Sequence, residues 1–473
     1  MSFTSEIQKS NSDFIVLIQT DIEQDNTQWV NIGAGIWKVN AGNSYPYVDS
    51  TLLSGFTAQE FGGIGSCASD GLPLTKVTTL ALVTSTYHSF YYDGSSRTIY
   101  VSLQNYDEPW LHSIAIGVIY GFSYDEFTPA GSQFGYQGRL LSVPSISQSR
   151  DPLFWGRIIY EGGTFSAANA DGEYDTWGED NDVFGNECRV YFGYRDIDID
   201  DYAQIFTGAI NTINISEEQV DIEIIDKRAQ LTKEITYTST HSENALTSIK
   251  NILVDNFTVE YNTTFFDTTA WAVASALAPN ITINMQDTEP AINMIEQICT
   301  TVFGTFEVTP TGKFSFKLID NTATASTTIH DYDILNRHSL QYNPTEAISS
   351  VKVGYNRDWV TSGTQYTYYT DTSREAVFYS QYKTYKQQQF DTLLTSILDA
   401  FEYSTTILNY TRNIHATEVI EVPMAYYGED LSDTANIEIN RDVNRMLGTK
   451  KAEIMSKDYD LANGKILFGI RLV

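Results

Sequence analysis

The stretch from Trp155 to Ile235 constrains the fold most, because it strings short alternating segments and tight turns into one ordered block. Val190 and Phe192, Ile205 and Phe206, then Ile210, Ile213 and Ile215, then Val220, Ile222 and Ile224 alternate with polar residues. Alternation of period two describes strands buried on one face. Thr207-Gly208 reads as a hairpin, and Asn169, Asp171 and Gly172 as an Asn-x-Asp-Gly turn. Strands joined in this way close most easily into a small antiparallel barrel. Nothing in the block has the arrangement of an active site.

The flanking regions carry different periods. Before the block, "DFIVLIQTDI", "IWKV" and "TLALVTS" read as strands, and "SFYYDGSSRTIYVSL" reads as a hairpin around Asp93-Gly94. After it, Leu246, Ile249, Ile252 and Leu253 share one helical face, with Ser242 as the expected N-cap. A second helix opens at Pro290 and carries Ile292, Ile295, Ile298, Cys299 and Val302, with Gly304 as its stop. A hairpin follows, placing Phe306 and Val308 opposite Phe314, Phe316 and Leu318. Lys386 to Tyr410 gives the clearest helical stripe, with Phe390, Leu393, Leu394, Ile397, Leu398, Phe401 and Leu408 on one face. "AISSVKVGYNRDW" and "ATEVIEVPM" are strand-like, and Asn463-Gly464 marks a hairpin near the end. The expected class is mainly β, α+β taken as a whole, in a chain of 473 residues long enough for three or four domains.

Charge narrows the function. The formal net charge is −31, and no Lys/Arg cluster offers the phosphate contacts on which nucleic-acid binding depends. Between Asp171 and Asp201 eleven acids face two bases, whereas from Arg441 onward seven bases outnumber four acids, so ends of different subunits are expected to attract. Cys67, Cys188 and Cys299 have neither metal-site nor disulfide-framework spacing, which suits synthesis in a reducing compartment. No secretory signal is expected at "MSFTSEIQKSNSDF", and the longest apolar stretch, Ile114 to Phe122, is too short to span a bilayer.

Chemical motifs are sparse. The six histidines are scattered, none in the i, i+4 pair of a helical zinc site, and no G-x-S-x-G elbow occurs. His330 and His338 read as loop or strand-edge residues. Two acidic stretches are weak metal candidates: Asn169, Asp171 and Asp175, and then Asp196, Asp198 and Asp200. The first departs from a calcium loop because Ala167 and Gly178 take its first and last ligand positions. In the second, period two would place three Asp on the solvent face of a strand with Ile197 and Ile199 inside. A solvated edge or turn accounts for both, so no metal, cofactor or catalytic residue is expected. Tyr-rich segments such as "QYTYYTD" suit sheet faces and subunit contacts, and also sugar stacking.

The order "GGTFSAANADGEYD", "RVYFGYRD", "FTGAINTINISEEQVDIEIIDKRAQL" resembles the tube-forming domain of bacteriophage tail hub proteins. The helix-then-hairpin unit after it is similar to the insert between their two tube domains. The resemblance implies an N-terminal β domain at 1–144, a first tube-like barrel at 145–238, an α+β insert at 239–335 and a second tube-like barrel with a long helix at 336–473. It further implies a structural virion protein at the tail tip or baseplate, a homotrimer continuing the tail tube. Its partners would be a distal tail protein, a tape measure protein and a tail fibre or spike. DNA would pass an acidic channel without being bound. A carbohydrate-binding adhesion protein or a polysaccharide-degrading enzyme of the tail tip is the alternative that the aromatic and carboxylate content allows.

Overall fold

The computed structural model describes residues 14–25, 30–33, 36–40, 63–69, 72–73, 75–76, 80–81, 89–93, 98–102, 114–130, 136–151, 153, 155–159, 161–175, 177, 183–239, 242–257, 259–320, 324–338, 340–342, 347–360, 365–411, 415–439 and 448–473. It is a mixed α+β structure, mostly strands, with five α-helices among the described residues. The chain divides into two compact units, Met1–Pro144 with Gly162–Ile225, and Ser145–Glu161 with Asp226–Val473.

The first unit is built on a nine-stranded sheet. Strand Gly162–Ala168 pairs with Gln219–Asp226, and Glu187–Tyr194 with Ala203–Ile215, all antiparallel. Phe14–Asp25 then inserts between Glu187–Tyr194 and Ile114–Phe122. The sheet curls back on itself. Past Phe122 the Ser123 amide donates to Gln137 O (2.8 Å), Leu140 N donates to Ser123 O (2.9 Å), and Ala168 N donates to Arg139 O (2.8 Å), linking the edge strand Leu140–Ser142 to the end of Ile114–Phe122, the seventh strand in the order. The alternating apolar residues supply the buried face: Val190, Phe192, Ile205, Val220, Ile222 and Ile224 are all buried, and Phe122 packs against Phe165 at 5.5 Å. Alternation fades after Ile210, so Ile213 is half-buried and Ile215 exposed.

Thr207-Gly208 is not a hairpin. The strand Ala203–Ile215 runs straight through it, and the turn comes later, where Ser216 N donates to Gln219 O. Glycine is required there because a Cβ would stand 2.3 Å from Ile225 O. A separate five-stranded sheet holds the predicted N-terminal hairpin, Ser89–Asp93 against Thr98–Ser102, while Asp93-Gly94's turn lies outside the described residues.

The second unit holds an eight-stranded sheet whose central strands are Thr434–Ile439, Gly448–Asp460, Lys465–Leu472 and Ala416–Pro423. Thr327–Ile329 lies at one end of the main strand order and Asn336–Arg337 at the other, with six residues between them. Five strand spacings in a flat sheet would separate them by about 24 Å. Seven Cα steps that include one 3-10 turn reach only about 20 Å, so the sheet curls to let this strap cross it.

Helices Ala245–Asn256, Thr268–Leu277 and Ala291–Val302 pack with the hairpin Gly304–Val308/Phe314–Leu318 around Leu246, Ile249, Trp271, Ile295 and Phe306. The first helix is capped by Asn244, whose side chain accepts from Leu246 N, rather than by Ser242. The third ends one residue before the expected stop, with Phe303 itself left-handed at φ 56°. Gly304 starts the next strand, where a Cβ would meet the Phe316 ring at 2.5 Å. The helix expected over Lys386–Tyr410 is shorter, Ile397–Tyr410, because Gln387–Asp391 pairs as a parallel strand with Ser350–Asp358. Phe390, Leu393 and Leu394 are buried from strand and loop, while Ile397, Leu398 and Phe401 are exposed.

Candidate functional site

The first acidic candidate is a structural clamp. Asn169 is buried, and its amide donates to Asp175 Oδ1 (2.8 Å) and Ser216 O (2.9 Å) while its oxygen accepts from Tyr174 N. Gly172 takes φ 73° to close the turn. Asp171 is bidentate to Arg139 (2.7 and 2.5 Å), which also meets Glu173 and lies over the Tyr174 ring. Arg139 thereby holds the Asp171 carboxyl below the usual carboxylate range.

The second candidate is not a strand. Asp198 caps a 3-10 turn, Ile199–Asp201, by accepting from Asp200 N (3.1 Å), and Ile197 is buried while Ile199 is half-buried. The turn disperses Asp196, Asp198 and Asp200 instead of aligning them. Among the described residues no group of three His, Cys, Asp or Glu is placed to hold a metal ion.

The tyrosines of Gln365–Asp371 are engaged within their sheet. Tyr366 and Tyr368 flank Gly354, Lys352 Nζ lies 4.0 Å from the Tyr368 ring centre, and Gln389 donates to its hydroxyl. Tyr368 is nevertheless 40% exposed, with Lys352 over one part of its ring. His330 and His338 sit at the two ends of the strap, facing Glu438 (2.9 Å) and Glu421 (3.2 Å), which are strand-edge positions.

Sequence reasoning missed the two buried ionic networks of the second unit. In the first, Arg228 donates to Asp226 (2.8 Å), Glu161 (2.9 Å), Phe306 O and Ile159 O, and Gln148 donates to Glu161 (2.7 Å). One arginine against two carboxylates leaves one negative charge too many. Burial, only partly offset by Arg228, pushes Glu161 up to about 8, so it keeps its proton at neutral pH. In the second, Arg150 and Arg471 flank Glu453 and the Tyr410 hydroxyl. Both networks grip Ser145–Glu161, whose Ile146–Ser149 also pairs with Gly448–Asp460. "DKRAQL" carried the signal for the first, since Asp226 and Arg228 lie in it; their partners are too distant in sequence to read.

Three of the seven basic residues from Arg441 onward are engaged the same way. Arg471 and Lys457 are buried, Lys457 donating to Tyr427 O and Glu429 O, and Lys465 pairs with Glu421 (2.7 Å). These charges are internal fasteners and not a basic surface for another subunit.

Beside the first network lies a cavity of about 60 Å³ lined by Glu161, Asp267, Glu307, Ser315, Lys317 and Asp430. Sites for drug-sized ligands run to about 300 Å³ or more, so this one has room for a few waters and not for a sugar ring. Gln148 and Arg228 hold the two Glu161 oxygens within the network at the edge of this cavity.

Over about seven-tenths of its length the chain is similar in structure to phage tail proteins. It is similar to the tail protein from Neisseria meningitidis (TM-score 0.46, 10% identity, 73% of this chain and 94% of that one). It is also similar to the prophage MuSo2 43 kDa tail protein from Shewanella oneidensis (TM-score 0.43, 14% identity, 73% and 97%). A third likeness is to an E. coli component of the type VI secretion system that is itself structurally similar to the T4 tail proteins gp27 and gp5 (TM-score 0.37, 9% identity, 71% and 76%). No protein-family model and no curated protein matches the chain.

Proposed function

We propose that the protein is the hub of a phage tail or baseplate, a mechanical and non-enzymatic virion component that assembles as a homotrimer and continues the tail tube. The observation that carries this reading is that each unit is built on its own large curled sheet, nine strands in one and eight in the other. Two tube-type barrels per chain let three subunits present six around an axis. In this reading the first barrel includes the N-terminal strands Phe14–Asp25 and Ile114–Phe122, the insert lies within 239–335, and the second barrel combines strands of 336–473 with Thr327–Ile329 and Ile146–Ser149. With −31 net charge, an acidic channel would pass DNA by like-charge repulsion.

The insert would seat neighbours, a distal tail protein, a tape measure protein or a fibre. Its helix Thr268–Leu277 supports this, for it contains no charged residue and leaves Val273 and Leu277 64% and 74% exposed. Among the described residues no helix is long and apolar enough to cross a membrane. Negative-stain electron microscopy of the purified protein is the test. The expected particle is a three-fold ring with a central channel and a pseudo-six-fold inner wall; monomers or dimers without a channel, even when mixed with tail components, would overturn the reading.

A further inference from the structure

The network at Arg150 lacks one negative charge. Arg150 and Arg471, with side chains 3% and 1% exposed, share a single carboxylate, Glu453, which is 1% exposed. Arg150 Nη2 donates to Glu453 Oε1 (2.6 Å) and to the Tyr410 hydroxyl (2.8 Å), and Arg471 Nη2 donates to Glu453 Oε2. Tyr410 in turn donates to Glu453 (3.0 Å), and burial pushes its phenol up to about 12, so it brings no charge at neutral pH. A further ionisable neighbour, His415, lies beside the Leu472 and Tyr410 carbonyl oxygens (2.9 and 3.3 Å), and a histidine brings no negative charge in either of its forms. The group therefore carries one buried positive charge in excess.

Its donors are also in excess. Nε and Nη1 of Arg150 and Nε of Arg471 find no acceptor. A buried N–H without an acceptor costs about 1–3 kcal/mol, and more on a charged group. The Tyr410 ring, 4.0 Å from the Arg471 guanidinium carbon, compensates part of that charge. Among the described residues no ring lies over the Arg150 guanidinium in this way, and its Nη2 meets Met455 Sδ at 2.9 Å.

We propose that this network binds a small monovalent anion of halide size. A water molecule would satisfy an N–H but leave the buried charge standing, whereas an anion answers both needs. The enclosure sets the size: Arg150, Arg471 and Glu453 are 6%, 1% and 1% exposed, which suits a single small ion and not a hydrated oxyanion. The site lies wholly within the second unit and does not depend on the hub reading.

The test is thermal unfolding of the full chain in sodium chloride or bromide against sodium gluconate at equal ionic strength. The expected result is a midpoint rising by roughly 2 °C for each tenfold increase in halide, with no such rise in gluconate. Arg150→Met leaves Arg471 and Glu453 matched one to one, and its midpoint should be the same in halide and gluconate. Should that variant not fold, bromide soaked into crystals of the unaltered protein gives the second reading: an anomalous peak beside Arg150 supports the site. Equal midpoints in halide and gluconate for the unaltered protein, or crystals with water alone at Arg150, overturn it.

Discussion

Glu161 shows how one buried residue sets a pH dependence. Its carboxyl is raised to about 8 in the folded chain, against an ordinary value near 4.5, because burial outweighs Arg228 and because Asp226 already claims that arginine. A raised acid favours the protonated form in the fold, so its contribution is fully present below about pH 4.5 and is lost as pH rises toward 8. Lys457, pushed down to about 8 by burial, changes its contribution only above that pH and stays outside the window. Urea unfolding of the protein should therefore show stability falling by a few kcal/mol between pH 5 and 8 from this group, and Glu161→Gln should flatten that fall. If that variant kept the parent's pH slope, the assignment would be refuted. Arg228→Met strands Asp226 without a counter-charge and should cost about 3–5 kcal/mol at pH 7, read as a lower urea midpoint.

At the scale of elements, glycines mark where strands come too close for a side chain. Gly208 sits mid-strand with Ile225 O 2.3 Å from where a Cβ would be, so Gly208→Ala should destabilise by about 1–3 kcal/mol, measured by chemical denaturation. From sequence alone this glycine reads as a turn, because a glycine between alternating segments suits both roles and only the neighbouring strand decides. The alternating cores were legible: Val190, Phe192, Val220, Ile222 and Ile224 are buried, as are Leu246, Ile249, Ile252 and Leu253. Helix Thr268–Leu277 carried no signal, since apolar residues on every side give no period. The strand Gln387–Asp391 was absorbed into a helix because Phe390 and Leu394 happen to be four apart. The insertion of Phe14–Asp25 beside Glu187–Tyr194 was illegible, as was the pairing of Arg150 with Glu453, because local patterns do not encode partners so distant in sequence. The Asn169–Gly172 turn was legible as a turn, whereas the 3-10 turn at Ile199–Asp201 was read as strand from its period of two, and Arg139 as the partner of Asp171 was not legible. On helix Thr268–Leu277, Val273→Glu with Leu277→Glu should leave the thermal midpoint of the isolated chain nearly unchanged, since both residues are solvent-exposed. If the helix seats a neighbouring protein, the same pair should abolish co-purification with reconstituted tail components.

For the whole molecule the governing quantity is the net charge of −31, and it bears directly on assembly. Of the seven basic residues from Arg441 onward, which read as a complementary patch, Lys457 and Arg471 are buried and Lys465 is paired with Glu421. In the proposed trimer, copies with so large a net negative charge would repel one another at long range, and apolar and backbone-mediated contacts would hold them against it. Repulsion between exposed charges fades as the Debye length shrinks from about 30 Å at 0.01 M salt to about 8 Å at 0.15 M. Trimer formation should accordingly strengthen as salt is raised, whereas an assembly held by ion pairs would weaken. Sedimentation velocity over 10–300 mM sodium gluconate, chosen so that ionic strength varies without halide, reads the effect separately from anion binding at Arg150. A trimer fraction that rises across the series fits apolar contacts opposed by acidic surfaces; one that falls would mean that subunits are joined by ion pairs and that the acidic residues lie in the contacts and not along a channel.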